Sequence, residues 1–572
     1  MPLRDRVLAA TRAALGDEAA GADAALHRSQ HADYQADLAL ALAKRAKKNP
    51  REVAAAIAAK LAPDDVIEKV EVSGPGFLNL TLRASHLAGT LAAMRDDARL
   101  GVAPVSEPQT IVVDYSGPNV AKEMHVGHLR STIIGDSIAR LFEWQGHRVI
   151  RRNHVGDWGT PFGMLIEHLL DERAAGTEAG VRELGAFYRA ARAKFDGDAA
   201  FADRARARVV KLQSGDADTL ALWRRLIEVS VEHFTALYTA LGVTLKSSDV
   251  VGESAYNAVL ADVVEELRKK GLAVESEGAI CVFPPGFAGR EGEPVPLIVR
   301  KQEGGYGYAT TDLAAIRQRV LELGAKRVVY VVGSPQQQHL AMVFAVARLA
   351  GWAGDDVRLE HVAFGSVLGP DKKMLKTRAG DSVSLASLVE EAKTRAAAVV
   401  AEKTPDLPEA ERARIAEAVG VGAVKYADLS NDRIKDYVFD WNRMLAFDGN
   451  TAPYLMYAHA RIRSILRKAA ESDDAGAAPG AIAVEAPQER ALALALVQLE
   501  GALDRAAEGC HPHRICAYLY DLASAFTAFY EACPVLKAEG ATRASRLALC
   551  EITARALALG LDLLGIAAPA QM

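Results

Sequence analysis

The sequence predicts a doubly wound parallel α/β core, split by an insertion, between an N-terminal α+β domain and a C-terminal all-α helical domain. Three observations predict it. Residues 109 to about 440 alternate strand-like and helix-like segments, the pattern of a parallel sheet covered on both faces. Residues about 165–295 interrupt that alternation with long charged helices and a Gly/Pro-rich piece, Phe283–Pro296. From about residue 441 apolar residues recur at helical spacing. The expected domains are therefore 1–107, 108–440 with the insertion inside it, and 441–572.

In the first domain, helical patterns cover Leu3–Leu15, Ala36–Lys48 and Pro50–Leu61, the last ending before Pro63. Ile67–Val72 and Phe77–Leu82 alternate as strands around Ser73-Gly-Pro-Gly76, a hairpin-like break. A helix over His86–Asp97 and a linker over Gly101–Pro108 close it. In the core, Thr110–Ser116 predicts a strand, Gly127–Gln145 a helix and His147–Arg152 a second strand. Arg327–Val332 is a buried strand, followed by a helix over His339–Leu349. Arg358–Leu368 is a further strand, and a helix starts near Leu385. Beyond it, Ala481–Leu503, Cys516–Ala532 and Arg543–Leu564 read as helices, with a loop over Glu471–Gly480.

The composition is that of an ordinary globular protein: half hydrophobic, a quarter charged, formal net charge −5. There is no global basic signature, so any nucleic-acid contact must use local patches such as Lys44–Lys48 or Arg461, Arg463, Arg467 and Lys468. A solvated helix face is the competing reading of either patch. Cys281, Cys510, Cys516, Cys533 and Cys550 show no zinc-ligand spacing and suit a reducing compartment. The N-terminus lacks an apolar signal core and no apolar run spans a bilayer, so a cytoplasmic protein with no membrane partner is expected.

Asp114 ends the first sheet strand, where ligands sit in open α/β sheets. Ser116 and Asn119 follow in the same loop, and Lys122 sits three residues before His125. His125-Val-Gly127-His128 then opens a helix, whose free N–H groups and positive dipole suit nucleotide phosphates. Gly127 allows close approach of a flat base or sugar, and the imidazoles can donate to charge developing on phosphate. Two histidines merely capping a helix is the alternative. Tyr308-Ala-Thr-Thr-Asp312 puts a phenol and a carboxylate four apart, on one helix face. Paired carboxylates and a tyrosine suit a guanidinium. Gln336 and His339 follow another strand end. Lys372–Gly380 is a basic loop suited to a polyphosphate leaving group.

Together these stretches closely resemble class I arginyl-tRNA synthetases over nearly the full length. The resemblance rests on Asp114–Arg130, with His125–His128 as the HIGH signature; on Asn153–Gly163; on Tyr308–Asp312; and on Phe447–Tyr457, similar to the junction into the family's helical anticodon-binding domain. It implies a Rossmann-like core and ATP-dependent ligation of L-arginine to tRNA through arginyl-adenylate. It implies that Asp114, Tyr308 and Asp312 read the guanidinium, with His125 also lining the arginine pocket. Asn119 and Gln336 hold the α-amino and carboxylate end, with Ser116 nearby. His125, Gly127 and His128 hold ATP. Magnesium accompanies ATP through the phosphates, with no protein metal site, and a monomer is expected.

The second class I signature, KMSKS, departs from its pattern here: the chain has Lys373-Met-Leu-Lys376-Thr-Arg378. Read directly, Lys373 and Lys376 are the signature lysines. Aligned on the downstream Thr-Arg-x-Gly, the catalytic position becomes Thr377, and a lysine ahead of HIGH would compensate. Lys122 fills that place, so work shared by Lys122 and Lys376 is expected. The N-terminal domain resembles the family's module that touches the tRNA elbow, with Phe77 and Asn79 as its contact candidates. The family commonly needs bound tRNA before it activates arginine. Rival readings are a nucleotidyltransferase acting without tRNA, a non-catalytic tRNA-binding paralogue, and a synthetase for another amino acid.

Overall fold

Ile111, Val112 and Val113 are fully buried. A strand flanked by helices on both faces demands this, and it explains why the stretch reads as an unbroken apolar run. In the computed structural model, which describes residues 3–29, 31–61, 63–176, 183–375, 383–471 and 481–572, the strand Thr110–Asp114 is the centre of a five-stranded parallel sheet. Arg327–Tyr330 and then Arg358–His361 flank it on one side; Arg148–Val155 and then Val250–Gly252 flank it on the other. In chain order the sheet runs fifth, fourth, first, second, third, so the order reverses between the first and fourth strands. Open α/β sheets bind ligands outside the carboxyl ends at such a reversal. Asp114 and Tyr330, partners in register, end those two strands.

The helix Val126–Trp144 follows the first strand and is buried on nearly all sides, polar residues included. Each of those polar residues therefore needs a partner. Arg130 pairs with Asp428 at 3.0 Å, both essentially inaccessible. Ser131 Oγ donates to the Val331 carbonyl at 2.6 Å. Asp136 accepts from Thr244 N–H at 2.8 Å and from Tyr115 OH at 3.3 Å.

Two expectations for the core are corrected. Val250–Gly252 belongs to the parallel sheet, so the stretch expected as a continuous insertion returns to the core before its end. Three residues are too few to reveal a period. The expected strand Arg358–Leu368 is two: Arg358–His361 in the main sheet, and Val367–Leu368 paired in parallel with Tyr437–Val438. The helices Thr160–Ala175, Leu184–Gly197, Ala199–Gln213 and Ala217–Ala240 carry the insertion's own core around Phe162, Leu165, Phe187, Phe201 and Leu226. After the Val250–Gly252 strand, Ala273–Ser276, Ala279–Val282 and Leu297–Arg300 form a three-stranded antiparallel sheet.

The chain divides into two compact units, residues 1–102 with 461–501 and 520–557, and residues 103–460 with 502–519 and 558–572. The parallel sheet lies in the second. In the first, Ile67–Ser73 and Phe77–Leu82 pair as the expected hairpin, with Gly74 and Gly76 at positive φ. The short strands Leu26–Arg28 and Tyr34–Ala36 extend that sheet. Its core gathers Val7, Leu42, Ile57, Leu78, Leu80 and Leu494. Arg490 grips Asp33 through two nitrogens at 2.9 and 2.5 Å. The helix expected over Ala481–Leu503 is two, Pro487–Leu496 and Leu499–Glu508. The five cysteines are free and buried. Among the described residues no helix is long and apolar enough to cross a membrane.

Candidate active site

A cavity of about 650 Å³ opens at the sheet's reversal point, lined by the strand-end residues Asp114–Gly117 and Tyr330–Gly333. Its remaining walls bring together His125, Gly127, His128, His154, Glu253, Tyr308, Asp312, Gln336, His339 and Phe364. Segments nearly 200 residues apart in sequence, Asp114 and Asp312, thus face one space.

His125 caps the helix Val126–Trp144. Its Nδ1 accepts from Gly127 N–H at 3.0 Å, and His128 Nδ1 accepts from His125 N–H at 3.1 Å. The capping alternative is therefore realised, and it has a chemical consequence. With both Nδ1 atoms accepting, each neutral imidazole carries its proton on Nε2. Burial, reinforced by the charge of Lys122, holds His125 below the usual histidine range. Burial, with His125 beside it, lowers His128 to about 4. Both rings are neutral Nε2–H donors at pH 7. Gly127 serves this arrangement directly: a Cβ there would fall 2.7 Å from His125 Cε1. The space it leaves is filled by the imidazole rather than kept for a base or sugar.

Tyr308 and Asp312 open the helix Tyr308–Arg317 on one face, as the spacing predicts. Asp312 Oδ2 lies 2.6 Å from His339 Nε2, and the Tyr308 and His339 rings meet edge to face at 4.8 Å. Tyr308 is largely exposed. Gln336 sits in the turn Ser334–Gln336, also on the cavity wall.

Asp114 differs from the expectation of an acid wholly available to a ligand. Its Oδ2 pairs at 2.7 Å with Arg319, a fully buried side chain. Its Oδ1 accepts only a long 3.4 Å bond from His154 N–H. Arg319 follows Asp312 by seven residues and lies in a wide helical turn, Gln318–Glu322.

A third cavity acid, Glu253, has no counterpart in the sequence reading. It follows the strand Val250–Gly252. Burial pushes it up to about 7, with Asp157 and then Asp312 adding to the rise. Asp157 accepts from Ser254 N–H and Oγ at 2.9 and 2.6 Å. Its carboxylate occupies the space that a Cβ on Gly252 would need. The only signal available was an acid at the end of a three-residue strand, Val-Val-Gly-Glu.

The other expected residues are placed as follows. Ser116, at φ +74°, spends its hydroxyl on Tyr238 OH at 2.7 Å and on Thr132 at 3.0 Å, so it shapes the loop from inside. Asn119 is exposed and bridges to Gly156, beside rather than among the cavity-lining residues. Lys122 Nζ stands 4.7 Å from the Tyr188 ring centroid. Lys373 is exposed in the turn after Leu368, its N–H held by Asp371 at 3.1 Å. Lys376, Thr377 and Arg378 lie outside the described residues. In the other unit Phe77 is half-buried. Asn79, on an inner strand, is 6% exposed and donates to Ser73 Oγ at 2.9 Å. Lys48 of the first basic patch pairs with Glu18 at 2.9 Å, and Arg461 of the second lies over the Tyr530 ring.

Comparison with known proteins agrees along the whole chain. The profile described as tRNA synthetases class I (R), catalytic domain, matches residues 91–441. A DALR anticodon binding domain matches 455–572, and an arginyl tRNA synthetase N terminal domain matches 2–82. The chain is 57% identical to an arginine–tRNA ligase of Thermobifida fusca over 573 aligned residues, covering 100% of this chain and 99% of that one. It is 54% identical to one of Frankia casuarinae, covering 97% and 96%. Among solved structures, arginyl-tRNA synthetase of Plasmodium falciparum superimposes with a TM-score of 0.85 at 28% identity, over 100% of this chain and 98% of that one. That of Thermus thermophilus gives 0.81 at 28% identity, over the full length of both.

Proposed function

The chain belongs to the class I arginyl-tRNA synthetases, and from that premise we propose how its cavity ligates arginine to tRNA. The reaction has two steps. A carboxylate oxygen of L-arginine attacks the α-phosphorus of ATP, the bond to the bridging oxygen breaks, and pyrophosphate leaves. A ribose hydroxyl of the terminal tRNA adenosine then attacks the arginyl carbonyl, loses its proton and displaces AMP. Neither step requires a covalent bond to the protein, so its contribution is positioning and charge stabilisation.

The observation that supports this assignment is the convergence of Asp312, Glu253 and Tyr308 on the space that His125 and His128 face with neutral donors. A guanidinium is planar and permanently charged, and carboxylates on two sides match its fork as they would not match an ammonium. In this reading Asp312, Glu253 and Tyr308 hold the guanidinium, and Asp114 offers the one oxygen that Arg319 leaves open. Gln336 and Asn119 receive the α-amino and carboxylate end. Ser116 sets the loop between them. His125 and His128 direct Nε2–H donors at the α-phosphate and bridging oxygen, where charge grows as pyrophosphate leaves. Gly127 leaves His125 room to cap and to point. Lys122 with Lys376, and Lys373 beside them, neutralise the departing phosphates. Magnesium enters with ATP, whose phosphate oxygens are the hard ligands it prefers.

Phe77 supplies an aromatic face for a tRNA nucleotide, and the buried Asn79 supports the strand beneath it. We assign the protein to the cytoplasm as a monomer; free buried thiols suit a reducing compartment. The deciding experiment is aminoacylation of purified tRNA with labelled arginine, omitting ATP, tRNA and arginine in turn, with lysine, cysteine and glutamine as competitors. Charging of lysine or glutamine at the rate of arginine would overturn the guanidinium assignment. Gel filtration that returns a dimer mass would overturn the monomer.

A further inference from the structure

Arg319 is the most deeply buried cation beside the cavity, yet the reaction as described gives it no role. Its side chain is 0% exposed. Nη2 pairs with Asp114 Oδ2 at 2.7 Å and lies 3.5 Å from His154 Nδ1. The guanidinium stacks over the Tyr330 ring at 5.0 Å. Among the described residues, Nε and Nη1 are buried without a hydrogen-bond partner. A buried guanidinium with donors unspent is expensive, so the site keeps it at a cost to stability. Burial works most strongly against its charge, and the contacts that together outweigh it are led by the Asp114 carboxylate. The groups facing Asp114 are thus Arg319, His154, Tyr256 and Tyr330, with Asp312 across the cavity.

We propose that Arg319 is a positioning residue for arginine recognition: an internal guanidinium that clamps one oxygen of Asp114 and leaves the other aimed into the cavity. The geometry assigns the two oxygens different work. Oδ2 is held by a short charge-assisted bond, which fixes the carboxylate plane. Oδ1 has only the long contact to His154 N–H and remains free to accept from a ligand. The clamp also offsets one negative charge. Without it, Asp114, Asp312 and Glu253 would repel one another across the cavity they line. Arg319 lies in the wide turn Gln318–Glu322; such turns recur at functional sites.

The inference rests on arginine occupying this cavity, and the experiment separates the two. KM for arginine, KM for ATP and kcat are measured at roughly pH 8.5, well above the value of about 7 for Glu253, for wild type, R319M, R319K, D114N, the R319M/D114N double variant and D312N. If arginine binds elsewhere, D312N leaves KM for arginine unchanged, and the reading of the cavity fails first. If D312N raises it, the clamp is judged on Arg319. R319M is expected to raise KM for arginine about tenfold to a hundredfold, a lost charged contact, with KM for ATP within twofold of wild type. The double variant should be no worse than the poorer single variant. The clamp is overturned if R319M moves both KM values alike, if it lowers only the melting temperature, or if the two losses multiply. Should R319M fail to fold, R319K decides. The clamp requires KM for arginine raised at least threefold at constant KM for ATP, and a wild-type value overturns it.

Discussion

His339 Nε2 and Asp312 Oδ2 lie 2.6 Å apart, and the contact orients the acid proposed to meet the guanidinium. His339 comes from the helix Gln337–Leu349 and Asp312 from Tyr308–Arg317, so two elements fix one carboxylate.

D312N should therefore raise KM for arginine by one to two orders of magnitude, the cost of a charged hydrogen bond at about 1.5–3 kcal/mol. H339A should cost less, about fivefold, because it releases the carboxylate without removing it. KM for ATP should stay within twofold in both. Steady-state aminoacylation checks this. Equal losses in the two variants would mean that His339 itself contacts substrate.

With Glu253 in the proposed arginine site, binding should be proton-linked. Burial and its acidic neighbours raise it to about 7, and a guanidinium needs it ionised. As pH falls below 7, KM for arginine should climb toward tenfold per unit, and E253Q should flatten that slope while weakening binding at pH 8. The stability sign is the reverse of the usual carboxylate case. A folded value raised above the unfolded one means that its stabilising contribution is complete at low pH and is lost as pH rises through about 7. E253Q should consequently melt higher than wild type at pH 8 and no higher at pH 4.5. Calorimetric titration of arginine near pH 7 in buffers of different ionisation enthalpy should report proton release.

Much of this site is local and therefore legible in the sequence. The histidine pair and the Tyr308–Asp312 spacing are set by one helix turn each, and the strand Ile111–Val113 by an unbroken apolar run. What stayed hidden depends on contacts that no local window contains. Ser116 spends its hydroxyl on Tyr238, 122 positions away. Glu253 follows a strand too short to register. Arg319 meets Asp114 from another element, far along the chain. Gly127 was legible as a glycine position and not in its purpose, since its neighbour is the preceding imidazole rather than a ligand.

The histidines carry two separable duties. H128N retains a side-chain acceptor for the helix start and loses the Nε2 donor. Its melting temperature should stay near wild type while ATP–pyrophosphate exchange falls about a hundredfold or more, the usual loss for one donor to developing charge. H128A should lose the same activity and, in addition, about 0.5–2 kcal/mol of stability with the cap. The lowered value of about 4 for His128 gives its own pH signature. A depressed folded value contributes stability above the unfolded range near 6.5 and loses it as pH falls toward 4. H128N should therefore be less acid-sensitive than wild type between those limits.

Lys122 tests how the phosphates are held in a chain whose second signature reads Lys-Met-Leu-Lys-Thr. Its ammonium lies against the Tyr188 ring, a contact worth about 0.5–1 kcal/mol at an exposed site, small enough to exchange for a pyrophosphate oxygen when ATP binds. If Lys122 and Lys376 share that work, K122A and K376A should each slow exchange by about tenfold to a hundredfold. The double variant should fall well below either. Y188L, which frees the ammonium without removing it, should keep near-normal exchange. Full exchange by K122A alongside a dead K376A would return the whole duty to the loop lysine. Running the series with and without tRNA adds a second result. Full exchange by wild type without tRNA would remove the expected tRNA requirement, and a requirement relieved in Y188L would tie it to release of Lys122.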